Sequence, residues 1–467
     1  MKLALIGGGG VRSVFFAQSI AKYAARLNIT ELALMDCDEE KLSLFGTLSQ
    51  YAVSGISTLK VTLTTSVEEA VTGADYVVTA IRVGGDHSRT VDERVALNMG
   101  VLGQETTGAG GFSYAMRTIP VLLDYMKIIR EKSNNATVFH FTNPAGLVTQ
   151  ALHDAGYANT IGICDNATGC KIEMSKALGI DSGDLRMRVY GLNHLTWADS
   201  VEYRGVEILD TLLANEDFVE HYHDFQYYDR DLIRHIHAIP NGYLYYYYHR
   251  ERALGNILSA VQTRGESVER LNNHLLETLR RIDVVKHPQE GLDAYLRFMR
   301  ERDNTYMTTE LKTSTRPEGA LFSAAELGIP DAPQKKAGLE LLEGYAGVAL
   351  NYIESKQKNL GIDLAINVLN QGAIPFLRDD DVIEVTTLVD STGAHPVKLG
   401  RIPEENELLI RQVKTYERYA SAAIREKDLE KAAYALMNHP LVGSWSQAKE
   451  LVRRYKLFHE QFLTEWH

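Results

Sequence analysis

A chain of 467 residues exceeds what one small hydrophobic core organises, so two domains are expected, and 45% hydrophobic with 24% charged residues is an ordinary globular balance. A net charge of −12 argues against nucleic-acid binding as the main task, because phosphate backbones recruit basic surfaces, while leaving room for a local basic pocket. Three cysteines, no apolar run of the ~20 residues a membrane span needs and no signal-peptide core at the start argue against a disulfide framework and a membrane partner, so the cytoplasm is the expected compartment.

Strands and helices alternate from the first residues onward. KLALIGGGGVRSVFFAQSIAKYAA (2–25) predicts strand, glycine turn and amphipathic helix, and ELALMDCDEEKLSLFGTLSQYAV (31–53) repeats the pattern around an acidic turn. ADYVVTAIRVGG (74–85) reads as a buried strand. ATVFHFTNPAGLVTQAL (136–152) and NTIGICDNATGCKIEMSKAL (159–178) each read strand, turn, helix. This alternation predicts an α/β fold whose N-terminal part is a Rossmann-like parallel sheet. After GLNHLTW (191–197) the rhythm changes to longer helices, as over 266–285 and 336–359, with strand-like runs at 363–372 and 381–400 and further helices from 405 on. A boundary near residue 195 is expected, dividing 1–195 from a mixed α+β part, 196–467.

The run Gly7-Gly8-Gly9-Gly10 between strand and helix lets backbone approach a pyrophosphate, which then rests on a helix N-terminus. Asp36 ends the second strand, where a carboxylate accepts the hydroxyls of an adenosine ribose and disfavours a 2′-phosphate, so NAD is the expected dinucleotide. The same ensemble serves lactate- and malate-type dehydrogenases and identifies a cofactor, not a reaction. Cys164 and His194 both follow apolar strands, and strand ends converge on one crevice in a parallel sheet. A thiolate and an imidazole there suit a borderline transition metal. Each alone is better explained as buried filler or a backbone-bonded histidine. Cys37 and Cys170 read as structural.

Several segments together resemble glycoside hydrolase family 4, in that family's order: IRVGGDHSRTVDERVALNMGVLGQETTGAGGFSYAMRTIP, TNPAG, GICDN, GLNHLTW, IPNGYL and NVLNQGAIPFL. The likeness is greatest to the branch that acts on 6-phospho-glucosides. It implies an unusual hydrolysis: NAD⁺ removes hydride from C3 of the sugar, the ketone acidifies the C2 proton, a base removes it, and the glycosidic oxygen leaves by elimination. Water then adds and the hydride returns, with a divalent metal, usually Mn²⁺, on the C2 and C3 oxygens.

By the same resemblance Cys164 and His194 match metal ligands and Tyr243 matches the C2 base, its phenol lowered by the metal and cationic neighbours. Asp165 matches a general acid, with helix capping as its alternative. Glu105 matches a carboxylate near metal and sugar. Asn143 and Asn193 match residues that hold sugar hydroxyls, and Arg89 and, more loosely, Arg264 match arginines that grip the 6-phosphate. Where family members carry hydroxyl residues after the glycines, this chain has Val11-Arg12-Ser13, so Arg12 is a further candidate for a phosphate of substrate or cofactor. The resemblance makes 1–195 the NAD-binding part and 196–467 the part for substrate and oligomerisation, in a homodimer or homotetramer. It leaves the anomer open. A glycosidase for an unphosphorylated or acidic sugar is the alternative that Arg89 discriminates against, and a simple lactate/malate-type dehydrogenase would lack the Cys–metal pair.

Overall fold

A computed structural model describes residues 1–329 and 341–467. Six parallel strands carry the N-terminal part: β1 (Lys2–Ile6), β2 (Glu31–Met35), β3 (Lys60–Thr64), β4 (Tyr76–Thr79), β5 (Thr137–His140) and β6 (Thr160–Gly162), ordered β6-β5-β4-β1-β2-β3. The chain starts in the middle and winds outward in both directions. The strand order therefore reverses between β1 and β4, and a crevice opens beyond their carboxyl ends. Leu3, Leu5, Leu32 and Leu34 point into one core cluster and Ala4, Ile6, Ala33 and Met35 into another. Both faces are covered, so these strands read as unbroken apolar runs.

The helices between them are α1 (Ser13–Leu27), α2 (Glu39–Ser54), α3 (Val67–Val71), α4 (Gly85–Leu97), α5 (Gly108–Lys132), α6 (Ala145–Asp154) and α7 (Asp165–Ala177). The sequence signals place their starts: Asp38 caps α2 by accepting from the Lys41 N–H at 3.0 Å. The second sheet is antiparallel: β7 (Leu185–Leu192) pairs with β8 (Leu195–Tyr203), which also pairs with β9 (Val206–Glu207) and β10 (Ile239–Pro240).

Three later strands, β11 (Ile362–Leu369), β12 (Val382–Asp390) and β13 (Gly393–Pro396), return to the first sheet and extend it as β6-β11-β12-β13. They run antiparallel to their neighbours, with Asn367 of β11 opposite Gly162 of β6. Nine strands thus share one sheet, and residue 195 is not an edge of it. The helix expected over 266–285 runs Arg264–Ile282, opened by a capping box of Thr263 and Glu266. Of the helix expected over 336–359, residues 336–340 lie outside the described residues, and Gly347–Lys358 is helical. Among the described residues no helix is long and apolar enough to cross a membrane.

Candidate active site

A cavity of about 1090 Å³ lies outside the carboxyl ends of the parallel strands. The glycine turn closes one end. Gly7 and Gly8 both donate their N–H to Met35 O, at 2.8 and 2.7 Å, which locks the turn onto the end of β2. Gly7 has φ +105°, and a Cβ there would lie 2.4 Å from Ala80 O, so no other residue fits. Gly9 donates to Asp36 Oδ2 at 2.9 Å, and Asp36 Oδ1 accepts from the Asp38 N–H at 3.1 Å. Gly7, Gly9, Gly10 and Asp36 line the cavity, whereas Gly8 packs down on Leu34 and Met35. Close backbone, a strand-end carboxylate and a helix N-terminus fit a dinucleotide.

Further along the strand ends, Cys164 Sγ lies 3.5 Å from His194 Nε2. Cys164 occupies the cap position of α7, and His194 sits at the two-residue tip between β7 and β8. The histidine's orientation is built in. Gln104 Oε1 accepts from the Thr106 N–H, the Thr107 N–H and the Thr106 hydroxyl, at 2.6, 2.7 and 2.9 Å. With its own hydrogen so committed, Thr106 Oγ1 is the acceptor for His194 Nδ1–H at 3.0 Å, which leaves the Nε2 lone pair aimed at Cys164. Burial holds the imidazole at about 4, hence neutral at pH 7. Burial also pushes the Cys164 thiol well up, a push that a bound cation reverses. Among the described residues no three His, Cys, Asp or Glu converge; a metal held by this pair would have two protein donors and open positions.

The Tyr243 ring stacks on His194 with centroids 3.8 Å apart and planes 5° from parallel. Burial, then Tyr306 and Glu105, raise its phenol well above the usual range. None of the groups that shift it most is a cation, so the cationic neighbours expected from the sequence do not lower it. Asp165 is the exposed first residue of α7 rather than its cap, in the first turn that favours a carboxylate. Asn143 lines the cavity; Asn193 does not. Expected to hold a sugar hydroxyl, Asn193 instead stands behind the ligand pair, where its amide donates to Glu384 Oε1 at 3.1 Å. The hairpin turns the asparagine inward when it turns the histidine to the cavity.

The other end of the cavity is electrostatic. Burial opposes the charge of Glu105, but Arg89, Arg82 and Arg302 outweigh it and hold the carboxyl at about 2. Arg89 is buried and engaged by carboxylates, Glu93 at 2.9 Å and Glu105 at 3.1 Å, so it does not stand free for a phosphate as the sequence suggested. Arg264 donates to the carbonyls of Thr305 and Arg302 at 3.1 Å each. Arg302, which no motif marks, is half-buried with its Nε enclosed and unpartnered; desolvation and the nearby Arg12, Arg89 and Arg264 pull it down to about 10. Arg12 reaches the same cavity, 3.6 Å from Asp303 and 5.1 Å above the Tyr345 ring. Arg12, Arg82 and Arg89 are paired with carboxylates, whereas among the described residues Arg264 and Arg302 form no ion pair, and these two suit a multivalent anion.

Two family models match the chain: Family 4 glycosyl hydrolase over residues 2–180, and Family 4 glycosyl hydrolase C-terminal domain over residues 189–442. A probable 6-phospho-beta-glucosidase of Bacillus subtilis (strain 168) is 30% identical over 483 residues, spanning 100% of this chain and 98% of that protein. A maltose-6′-phosphate glucosidase of the same organism is 25% identical, spanning 93% of this chain and 90% of its own. The 6-phospho-beta glucosidase of Thermotoga maritima, solved with manganese, NAD⁺ and glucose-6-phosphate, superposes with a TM-score of 0.79 at 26% identity over 99% of both chains.

Proposed function

The chain belongs to the family 4 glycosyl hydrolases, and from that premise we propose that it hydrolyses 6-phospho-glucosides using NAD and a divalent metal, Mn²⁺ foremost. One juxtaposition carries the reading: Cys164 and His194 lie 3.5 Å apart under the stacked Tyr243 ring, in the cavity that the glycine turn closes. When bound, NAD supplies reversible hydride removal at C3 and the metal polarises the adjacent sugar oxygens.

The chain's own residues bind, orient and move protons. Cys164 and His194 hold the metal, and Gly7–Gly10 with Asp36 hold the dinucleotide. Tyr243 Oη takes the C2 proton, a task that burial makes hard for the phenol unless positive charge lies on the His194 side. Asp165, exposed beside Cys164, delivers a proton to the glycosidic oxygen as the aglycone departs. Glu105, fixed as an anion by Arg82 and Arg89, and Asn143 position the sugar. Arg264 and Arg302 seat the phosphate, with Arg89 as support behind Glu105. In this reading the division near 195 is functional, not architectural: 1–195 carries NAD, and 196–467 carries the phosphate seat and the subunit contacts of a homodimer or homotetramer. A charged sugar phosphate does not cross a membrane unaided, so a substrate phosphorylated on uptake is met in the cytoplasm, the compartment this reading supports.

Aryl 6-phospho-α- and β-glucosides, incubated in D₂O with and without Mn²⁺ and NAD⁺, test it. The expected result is phenol release that needs both cofactors, deuterium at C2 and no net NADH. Release that survives removal of both cofactors would sink the reading.

A further inference from the structure

We propose that Glu384 is a positioning residue that clamps the Asn193–His194 tip to the end of β6, and so sets the spacing of the Cys164–His194 pair. The proposal rests on the reading of that pair as metal ligands.

The tip needs an anchor. His194 has φ +61°, a left-handed conformation that a histidine seldom holds without support, and only two residues separate β7 from β8 there. The anchor comes from a strand 190 residues later. Glu384 Oε1 accepts from Asn193 Nδ2 at 3.1 Å and from Asn367 Nδ2 at 2.9 Å. Asn367 lies opposite Glu384 on one side and opposite Gly162 on the other, so Gly162, Asn367 and Glu384 form one row across β6, β11 and β12. Cys164 follows Gly162 by two residues. The row is closely packed: a Cβ on Gly162 would fall 2.7 Å from Asn367 Cβ. Asn193, held by Glu384, directly precedes His194, and Asn367 Nδ2 also reaches the Gly162 carbonyl at 3.4 Å, two residues before Cys164. Both candidate ligands thus hang from one side chain.

The place of Glu384 excludes other roles. It is fully buried, interrupts the apolar run Val382-Ile383-Glu384-Val385, and does not line the cavity, so it does not touch substrate. Burying a carboxylate among apolar neighbours costs several kcal/mol unless hydrogen bonds offset it, and Oε2 has no hydrogen-bond partner. A residue kept for stability alone is better apolar here; orientation of metal ligands by an outer carboxylate is the role that fits.

The test uses the full chain loaded with NAD⁺ and titrated with Mn²⁺, and separately with Co²⁺, whose thiolate charge-transfer band reports the Cys164 bond. Glu384→Gln keeps the shape but replaces one oxygen with a donor. Its expected result is Mn²⁺ affinity weakened about tenfold, a weakened or shifted Co²⁺ band, and activity largely recovered at saturating Mn²⁺. Asn193→Ala should give a similar loss, and the double variant no more than the larger single loss. A folded Glu384→Gln chain with Mn²⁺ affinity within about twofold of the parent and an unchanged band overturns the proposal; so do losses that multiply in the double variant. If Glu384→Gln fails to fold, Asn193→Ala decides alone, and unchanged affinity there overturns it. Failure of the underlying reading is distinct: the unsubstituted chain would then bind neither ion, or Cys164→Ser would leave the Co²⁺ spectrum unaltered.

Discussion

The two ends of the cavity solve the problem of holding an anionic ligand by different physics. At the glycine turn the sheet works with backbone: Gly7 sits where only a glycine fits, two N–H groups grip Met35 O, and one carboxylate ties the loop. Charge is spare there, with Asp36 as the acid and Arg12 as the base closest in sequence. At the far end, helices from 264 to 304 bring half-buried guanidinium groups together, and geometry is secondary to field. Backbone cradles fit one shape of ligand, whereas a field accepts any compact dianion. On the proposed reading the chemistry sits between, where Cys164, His194 and Tyr243 meet.

Breaking the middle has the largest expected effect. Tyr243→Phe keeps the stack on His194 but removes the hydroxyl, and kcat should fall about 10²–10⁴-fold with deuterium incorporation at C2 lost in parallel. Retained C2 exchange would assign the base to another group and detach the chemistry from the stacked ring.

Next is the charge that organises the far end. The Glu105 carboxyl lies near 2 in the fold against about 4.3 in an unfolded chain, a depressed value. Its contribution, on the order of 3 kcal/mol, is present above the unfolded value and is lost as pH falls from about 4.3 through about 2. Glu105→Gln leaves Arg82 without its carboxylate and Arg89 with Glu93 alone, and should lower the melting temperature most above pH 5. The gap to the parent chain should close as acid protonates the parent. A gap constant down to pH 3 would show that the arginines do not depend on Glu105.

A third effect separates field from cradle. Arg302→Met should lower kcat/KM for an aryl 6-phospho-glucoside by about 10–100-fold, the worth of a charge-assisted hydrogen bond, while NAD⁺ affinity stays within about twofold. An equal loss for an unphosphorylated glucoside would remove Arg302 from the phosphate seat.

What the sequence reveals follows the same division. Gly7–Gly10, Asp36 and Cys164 lie at strand ends whose apolar runs are contiguous, so their convergence follows from topology alone. His194 follows an apolar run and so reads as a strand-end residue, but it sits on a hairpin tip of the antiparallel sheet rather than on the parallel one; Tyr243 is legible only by resemblance, because a short turn has no periodicity to read. Arg302 looks like any exposed helical arginine in RFMRERDN; its burial depends on packing between helices distant in sequence. Arg89 is the converse: its motif is visible and its pairing with Glu93 one helical turn on is a local contact, but its pairing with Glu105 is a matter of tertiary contact. Glu384 carries one faint signal, an acid inside an apolar strand, whose meaning appears only when β12 joins the first sheet.

The smallest effect belongs to Arg12, which stands where the cradle meets the field. Its guanidinium packs 5.1 Å from the Tyr345 centroid, 3.6 Å from Asp303, and is about 38% exposed, so water screens it. It also adds to the positive field at Arg302. Removing it relieves repulsion within the arginine group while weakening attraction for an incoming phosphate, and the two changes oppose one another. Arg12→Ala should therefore raise KM for the phosphorylated substrate by no more than about fivefold, the upper reach of an exposed charge pair, and the change should shrink with added salt. A larger, salt-independent rise would make Arg12 a direct phosphate ligand and move the border of the field onto the glycine turn itself. A rise in the NAD⁺ constant instead would assign it to the cradle.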